Sequence, residues 1–148
     1  MTGLAAVTAI DVIEHIADPQ AFFREVYCRL RPGGVIYAET PNVNSWVYGV
    51  GRRLCAWTGG RPLATFQRLF PEEHIQYFST RGFALLANAC GFDVPYLESR
   101  NLPLEEIAVG RVTRLALGAL QGLDYLTGDG VLRWAILRRP TADAKYGW

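Results

Sequence analysis

Three ionisable side chains follow a short apolar segment near the start of the chain. Asp11, Glu14 and His15 come directly after the apolar run Leu4–Ile10. Carboxylate and imidazole groups are ligands that Mg²⁺ or Mn²⁺ accept, and an imidazole also suits a general base near neutral pH. The segment therefore predicts a metal half-site. Two alternatives stay open: His15 acts as a base without a metal, or Glu14 and His15 pair with arginines in a structural role, because ionisable groups are costly to bury unpaired.

The elements around these residues predict where they lie. Leu4–Ile10 is typical of a strand buried on both faces of a parallel sheet. Asp18-Pro19 predicts the start of a helix, and Gly34–Thr40 reads as the next strand. Strand, helix and strand form a right-handed crossover unit. Asp11 to His15 then follow the carboxyl end of a strand, the edge where α/β sheets carry function.

The remainder of the chain continues the alternation of helices and strands. Ser79 or Thr80 predicts a helix start, and Phe92–Glu98 predicts a strand in which Pro95 indicates an edge or a bulge. Val131–Arg138 predicts a last strand. An amphipathic helix precedes it, with apolar positions at Val112, Leu115, Ala116, Ala119, Leu123 and Leu126. The predicted fold class is α/β.

Composition excludes several classes of protein. The 148 residues suffice for one domain, and 50% hydrophobic residues argue against a disordered chain. A net charge of +1 gives no reason to expect a nucleic-acid partner. The three cysteines are isolated, so neither a disulfide framework nor a zinc knuckle is predicted, and a cytoplasmic location is expected.

Several spaced motifs together resemble the second half of a class I S-adenosylmethionine-dependent methyltransferase. They are the strand Val7–Ile10 with the Asp-Val-Ile-Glu-His that follows it, Leu30-Arg-Pro-Gly-Gly34, Thr40-Pro-Asn42, His74-Ile-Gln-Tyr-Phe-Ser79 and Gly91-Phe92. The ubiquinone-type O-methyltransferases, polysaccharide- and lipid-modifying relatives and small-RNA 2′-O-methyltransferases are the most similar subgroups. The resemblance implies a Rossmann-like sheet with its strands four to seven, mostly parallel with an antiparallel closing strand, and flanking helices.

The resemblance also implies roles for particular residues. Ile10 and Asp11 fall where the family binds S-adenosylmethionine, and His15 falls where a catalytic base is expected. By similarity to the RNA-modifying subgroup, Asp11, Glu14, His15 and His74 are a candidate ligand set for Mg²⁺ or Mn²⁺. The implied reaction is O-methylation of a small-molecule, lipid or saccharide acceptor.

One departure from the family is informative. No Gly-x-Gly-x-x-Gly turn and no following ribose-binding carboxylate precede Leu4, so the chain is expected to be a C-terminal half, through truncation, a late start codon or a split gene. Weak cofactor binding by the chain alone is then expected. The edge of its first strand would be exposed, and the chain would dimerise or pair with a complementing N-terminal half. The rival hypothesis is a non-catalytic interaction module that uses this edge.

Residues 43–70 form a predicted insert or lid within a domain of residues 1–139, followed by a loose tail at 140–148. The insert combines tryptophans and other aromatic residues with several arginines. That composition fits a lid over an apolar substrate, a helix touching anionic lipid, a base-stacking surface or a plain surface helix. Peripheral membrane contact is therefore kept as a hypothesis. Tyr37, Glu39, Thr40 and Asn42 end the second strand and are predicted to face the substrate, or to form a satisfied loop.

Overall fold

The described strands form one mixed sheet. The computed structural model describes residues 3–59, 71, 73–105 and 109–141. Its strands are β1 (Leu4–Ile10), β2 (Leu30–Pro41), β3 (Asp93–Arg100) and β4 (Leu132–Arg138), in the sheet order β1-β2-β4-β3. β1 and β2 are parallel, and β4 is antiparallel to both of its neighbours. The predicted sheet, mostly parallel with an antiparallel closing strand, is confirmed.

Within the described residues, four α-helices and one short 3₁₀ helix connect these strands. They are α1 (Pro19–Arg29), α2 (Trp46–Trp57), α3 (Thr80–Ala89), α4 (Arg111–Thr127) and the 3₁₀ helix Ile13–His15. The predicted start of α1 is confirmed, because Asp18 caps it by accepting the Ala21 N–H at 2.8 Å. Ser79 caps α3 in the same way, through the Gly82 N–H at 3.0 Å. Residues 60–70 of the predicted insert and most of the predicted tail lie outside the described residues.

The main core lies between one face of the sheet and helices α1 and α3. Phe23 of α1 and Phe83 of α3 are almost fully buried and meet edge to face, with ring centroids 5.9 Å apart. Phe92, at the end of the loop after α3, contacts Phe23 at 6.1 Å. Aromatic contacts of this kind add to the burial of apolar area. The sheet contributes Ala9, Ile36, Ala38, Ala135 and Leu137 to the same cluster.

β1 is less buried than its apolar sequence predicts. The expectation that β1 is buried on both faces is wrong, because Leu4 and Ile10 are 50% and 52% exposed and Ala9 is its one fully buried residue. In the described sheet β1 has a neighbour on one side, namely β2. The expectation of an exposed edge at this strand is met. At the opposite edge, β3 carries Pro95 beside a register shift, as the proline predicted.

α4 spans the predicted apolar positions Val112 to Leu126 but has an unexpected orientation. Its inner side packs Leu117 and Leu120 against Val47 of α2 and Val131. The apolar positions of its pattern lie on the other side, where Val112 and Leu115 are 82% and 76% exposed. An amphipathic helix normally turns this face to the core. Among the described residues, no helix is both long enough and apolar enough to cross a bilayer.

Candidate functional site

The backbone conformation after β1 determines where Asp11, Glu14 and His15 lie. Asp11 adopts a left-handed conformation, with φ of 50°, and its N–H donates to the Glu39 carbonyl at 3.1 Å. The 3₁₀ helix then begins at Ile13, so Asp11 and Glu14 do not share a helical turn. Glu14 is fully buried, whereas Asp11 and His15 are exposed.

Glu14, His15 and His74 come together in one cluster. Each offers a ligating atom, and these atoms lie within 4.8 Å of one another. The two imidazole rings meet edge to face, with centroids 4.7 Å apart. The backbone fixes this approach, because the Glu14 carbonyl accepts the N–H groups of Ile75 and Gln76 at 3.0 and 3.2 Å. Asp11, the fourth residue of the predicted ligand set, is not part of this cluster.

The hydrogen bond of His15 defines its tautomer. His15 Nδ1 lies 2.9 Å from the backbone carbonyl oxygen of Glu73. A carbonyl oxygen only accepts, so Nδ1 carries the hydrogen and Nε2 of the neutral ring keeps a lone pair. That lone pair can take up a proton or bind a metal ion.

Two buried polar atoms of the cluster are left without partners. Glu14 Oε2 accepts a hydrogen bond from Thr40 Oγ1 at 3.0 Å. Glu14 Oε1 and His74 Nδ1 are buried with no hydrogen-bond partner in the part of the chain that the structure describes. Such atoms are uncommon in folded proteins, where buried polar groups are generally satisfied. A carboxylate oxygen beside imidazole nitrogens is a donor set that suits a divalent cation.

Two tyrosines border the cluster. Tyr77 lies between His74 and Tyr48, with ring centroids 5.6 Å and 5.9 Å from theirs. Burial raises the pKa of both phenols, and the nearby charge of Glu14 raises each further. Both therefore stay protonated at neutral pH. In the sequence, Tyr48 is one of several aromatic residues of the insert and Tyr77 is part of the His74–Ser79 motif. Neither pattern assigns a tyrosine to this cluster.

The polar residues at the end of β2 do not all belong to the cluster. Thr40 bonds to Glu14 and so belongs to the cluster. Glu39 is 3% exposed and accepts from Arg100 at 2.8 Å and from the Tyr37 hydroxyl at 2.9 Å. The hydrogen bond to Glu39, together with the Glu39 charge, raises the pKa of Arg100. Asn42 donates to the Gly130 carbonyl at 2.8 Å. Glu39 and Asn42 are thus satisfied by protein partners.

Comparison with known proteins assigns the family. The family model described as "Methyltransferase domain" matches residues 4–97, and the chain belongs to that family. It is 39% identical over 46 residues to the ubiquinone biosynthesis O-methyltransferase of Idiomarina loihiensis, a match that covers 30% of this chain and 19% of that protein.

Solved structures show the same fold at low sequence identity. One is a chain from the complex between the Haloferax volcanii Trm112 methyltransferase activator and a methyltransferase, with a TM-score of 0.59, 16% identity, and coverage of 94% of this chain and 55% of that chain. Another is a SAM-dependent methyltransferase of Thermotoga maritima, with a TM-score of 0.59, 14% identity, and coverage of 93% and 57%. The chain thus spans little more than half the length of these structures.

Proposed function

We propose that this chain contributes the acceptor side of an S-adenosylmethionine-dependent methyltransferase that acts on a hydroxyl oxygen. The acceptor class is a small molecule, a lipid or a saccharide. One observation carries the proposal: the His15 ring, whose Nε2 keeps a lone pair, lies in one cluster with the buried carboxylate of Glu14, just after the carboxyl end of β1. Methyl transfer to oxygen needs a group there that removes the proton of the acceptor.

Ile10 and Asp11 are the proposed cofactor contacts of this chain. The Ile10 side chain is 52% exposed at the end of β1, and the left-handed Asp11 exposes a carboxylate next to it. An apolar and an anionic side chain at this edge fit one wall of a pocket for a nucleoside with hydroxyl groups. The bound cofactor supplies an electrophilic methyl group on its sulfonium.

His15 is the proposed base. Its Nε2 accepts the proton of the acceptor hydroxyl, while the Glu73 carbonyl holds the ring through Nδ1 and stabilises the positive charge that develops. Tyr48 and Tyr77 line the cluster with aromatic surface and keep water away from it. In this proposal residues 43–70 act as the lid, and α2 carries Tyr48.

A divalent cation is the alternative for the same cluster. Glu14 Oε1, His15 Nε2 and a nitrogen of His74 would hold Mg²⁺ or Mn²⁺, which supplies a Lewis acid that lowers the pKa of the acceptor hydroxyl. The two unpartnered buried atoms favour this candidate. His15 Nε2 has one lone pair, so His15 cannot bind a cation and act as the base at once.

The cofactor contact is tested by NMR. Amide spectra of the full chain are recorded with millimolar S-adenosylmethionine and, as a control, with millimolar adenosine. We expect weak binding, with shifts concentrated at Ile10, Asp11 and His15 and larger for the complete cofactor. The absence of shifts at these three amides would overturn the assignment of the cofactor wall.

The choice between base and cation is tested by Mn²⁺ titration followed by electron paramagnetic resonance. If the cluster holds a cation, Glu14→Gln weakens Mn²⁺ affinity at least tenfold, since a carboxylate ligand is lost. Asp11→Asn is the matched control, because it also removes one carboxylate near β1 but not from the cluster, and we expect less than a twofold change. Equal effects of the two substitutions, or no saturable binding by the unaltered chain, would leave His15 as a base without a metal.

Transfer itself is measured with the same variants. Radiolabelled methyl groups are followed from the cofactor to phenolic, saccharide and lipid hydroxyl acceptors, with and without added Mn²⁺. His15→Gln is expected to lower transfer at least a hundredfold at saturating cofactor, in line with the loss of a general base. Transfer that is unaffected by His15→Gln would overturn its proposed role.

The second candidate function is association through β1, and the exposure of that strand favours it. An open strand edge has free backbone donors and acceptors that can pair with a second copy or with a chain supplying an N-terminal half. Thr8→Lys places a charge on this exposed strand. We expect sedimentation at tens of micromolar to show a dimer for the unaltered chain and a monomer for Thr8→Lys. A monomeric unaltered chain would remove the self-pairing candidate.

A further inference from the structure

A separate cavity lies along α2. Its volume is about 360 Å³, and its lining includes Asn44, Trp46, Gly49, Arg52, Arg53 and Ser79. The residues of the Glu14–His15–His74 cluster and the two tyrosines beside it do not line this cavity. A volume of this size is in the range of small-ligand pockets. The cavity therefore has room for more than a simple inorganic ion.

Two arginines give the cavity its charge. Arg52 and Arg53 are exposed, and neither forms an ion pair or hydrogen bond within the described part of the chain. Other arginines do have carboxylate partners, namely Arg29, Arg100, Arg133 and Arg138. None of the described residues that line the cavity is acidic. Two guanidinium groups that have no counter-charge among the described residues thus border one cavity.

The first turn of α2 is not the source of this positive character. Its leading N–H groups are already satisfied: Trp46 N–H donates to Asp124 at 2.6 Å, and Val47 N–H donates to the Ser45 hydroxyl oxygen at 3.1 Å. The Ser45 hydroxyl in turn donates to Asp124 at 2.7 Å. Any anion in the cavity would therefore be held by the side chains further along the helix.

Helical spacing places the lining groups on one side of α2. Trp46, Gly49 and Arg53 follow one another at intervals of three and four residues, which share a helix face. Trp46 is 39% exposed, so part of its indole is available for contact. A Cβ built at Gly49 meets no atom within 4 Å. Glycine at this position leaves open space at the cavity wall, and a larger side chain would occupy it.

We propose that this cavity binds the phosphate group of an organic phosphate, with the organic part against the Trp46 indole. Guanidinium groups are planar multiple donors whose geometry matches phosphate oxygens. Asn44 adds a donor, because its Oδ1 accepts from Thr80 N–H at 3.3 Å and its amide nitrogen is free to donate. The Ser79 oxygen accepts from Gly82 N–H, so its hydroxyl hydrogen remains for a ligand. This proposal does not depend on methyl transfer.

The proposal is tested with phenyl phosphate as the probe, by calorimetry on the full chain. We expect saturable binding that is at least tenfold weaker in Arg52→Gln and in Arg53→Gln. Arg24→Gln is the matched control, because Arg24 is exposed on α1, and it should bind like the unaltered chain. Equal binding by all three variants, or no saturable binding by the unaltered chain, would overturn the proposal.

A second variant tests the cavity without changing charge. Gly49→Leu fills the space and should abolish phenyl phosphate binding while circular dichroism stays that of the unaltered chain. Retained affinity in a folded Gly49→Leu protein would contradict the assignment of the cavity. Benzoate serves as a further probe: binding as tight as that of phenyl phosphate would overturn the preference for phosphate.

Vesicles distinguish the source of the phosphate. Flotation is measured with phosphatidylcholine vesicles and with vesicles that also contain phosphatidylglycerol. Binding to the anionic vesicles that is lost in Arg52→Gln assigns the site to a lipid headgroup. Binding of phenyl phosphate without vesicle flotation assigns it to a soluble phosphate ester. Flotation that is unchanged in both arginine variants would exclude the cavity from lipid contact.

Discussion

Helices α3 and α4 both carry apolar residues at helical spacing, yet α3 buries that face and α4 exposes it. On α3, Phe83 and Ala87 are at most 1% exposed and contact α1 and the sheet. On α4, Val112 and Leu126 are about four-fifths exposed (82% and 78%), whereas Asp124 is fully buried. The two helices are thus attached to the domain by different physical means.

α3 is attached by apolar burial, and α4 by a few leucines and a hydrogen-bonded carboxylate. Asp124 accepts from the Ser45 hydroxyl and from Trp46 N–H, and so ties α4 to the start of α2. A buried carboxylate is acceptable only with such partners. The difference shows that periodicity predicts a helix and its two faces, but not which face the protein will cover.

The largest expected effect is at the centre of the α3 contact. Phe83→Ala removes a buried aromatic ring that packs against Phe23 and Phe78, and we expect a loss of about 3–5 kcal/mol in the free energy of unfolding. Urea denaturation followed by circular dichroism measures it. Leu85→Ala, on the same helix but 58% exposed, is the control and should change stability by less than about 1 kcal/mol.

A smaller loss is expected at the polar attachment of α4. Asp124→Ala leaves the Ser45 hydroxyl and the Trp46 N–H without their acceptor, which costs about 1–3 kcal/mol. Asp124→Asn keeps the shape and one acceptor oxygen, so it should cost less than alanine at neutral pH. Urea denaturation measures the free energy of unfolding of both variants. An alanine variant as stable as the unaltered chain would mean that α4 is attached by its leucines alone.

The pH dependence of stability tests the same residue. Burial raises the pKa of Asp124 above the ordinary value of 3.8, so the folded state binds this proton more tightly than the unfolded state. Its contribution to stability is therefore greatest at low pH and declines as pH rises through the interval above 3.8. The stability difference between the unaltered chain and Asp124→Asn should change across that interval. A constant difference would contradict the raised pKa.

The exposed face of α4 should tolerate polar substitution. Leu115→Gln with Leu126→Gln is expected to change the free energy of unfolding by no more than about 0.5 kcal/mol, because both side chains are more than three-quarters exposed (76% and 78%). Binding of the dye ANS, which reports exposed apolar surface, should fall. A large loss of stability would show that this face is covered in solution.

The smallest effect concerns the start of α4. α3 has a side-chain cap at Ser79, whereas α4 begins after Gly110 without one. Gly110 has φ of −64°, and a Cβ there meets no atom within 4 Å. Gly110→Asp should therefore stabilise the protein by a few tenths of a kcal/mol. Gly128→Ala is the contrasting control, since φ of 75° favours glycine and the substitution should destabilise.

The features that were predicted correctly from the sequence depend mainly on interactions between residues close together in the chain. Asp18 and Ser79 cap their helices through backbone N–H groups three residues further along the chain. The residue type at each cap position is therefore enough to predict the helix start. β1 is an apolar run, and turn residues bound the predicted strands. The resemblance to the methyltransferase family supplied the arrangement of the strands. The closeness of His15 and His74 was an expectation from that resemblance, and it depends on a backbone contact between distant segments.

The features that sequence reasoning missed depend on contacts between residues far apart in the chain. Tyr48 and Tyr77 meet through the packing of α2 against the segment before α3, and no spacing relates them. The candidate ligand set also included Asp11, but Asp11 is left-handed and lies before the 3₁₀ helix that begins at Ile13, so it does not share a turn with Glu14. The burial of Asp124 could not be inferred either, because its partners Ser45 and Trp46 are 79 and 78 residues away.

The position of β4 between β2 and β3 has a consequence for the order of events during synthesis. β4 is the last of the four strands to leave the ribosome, yet it occupies the inside of the sheet. Until Arg138, the partner of Val35, has emerged, β2 and β3 have no strand to join them. Pairings between such distant residues form slowly, and unpaired strand edges of a nascent chain are prone to aggregate. The edge of β2 therefore stays unpaired from the synthesis of Pro41 until β4 emerges, and the edge of β3 from the synthesis of Arg100, so a holding chaperone has its longest opportunity at β2.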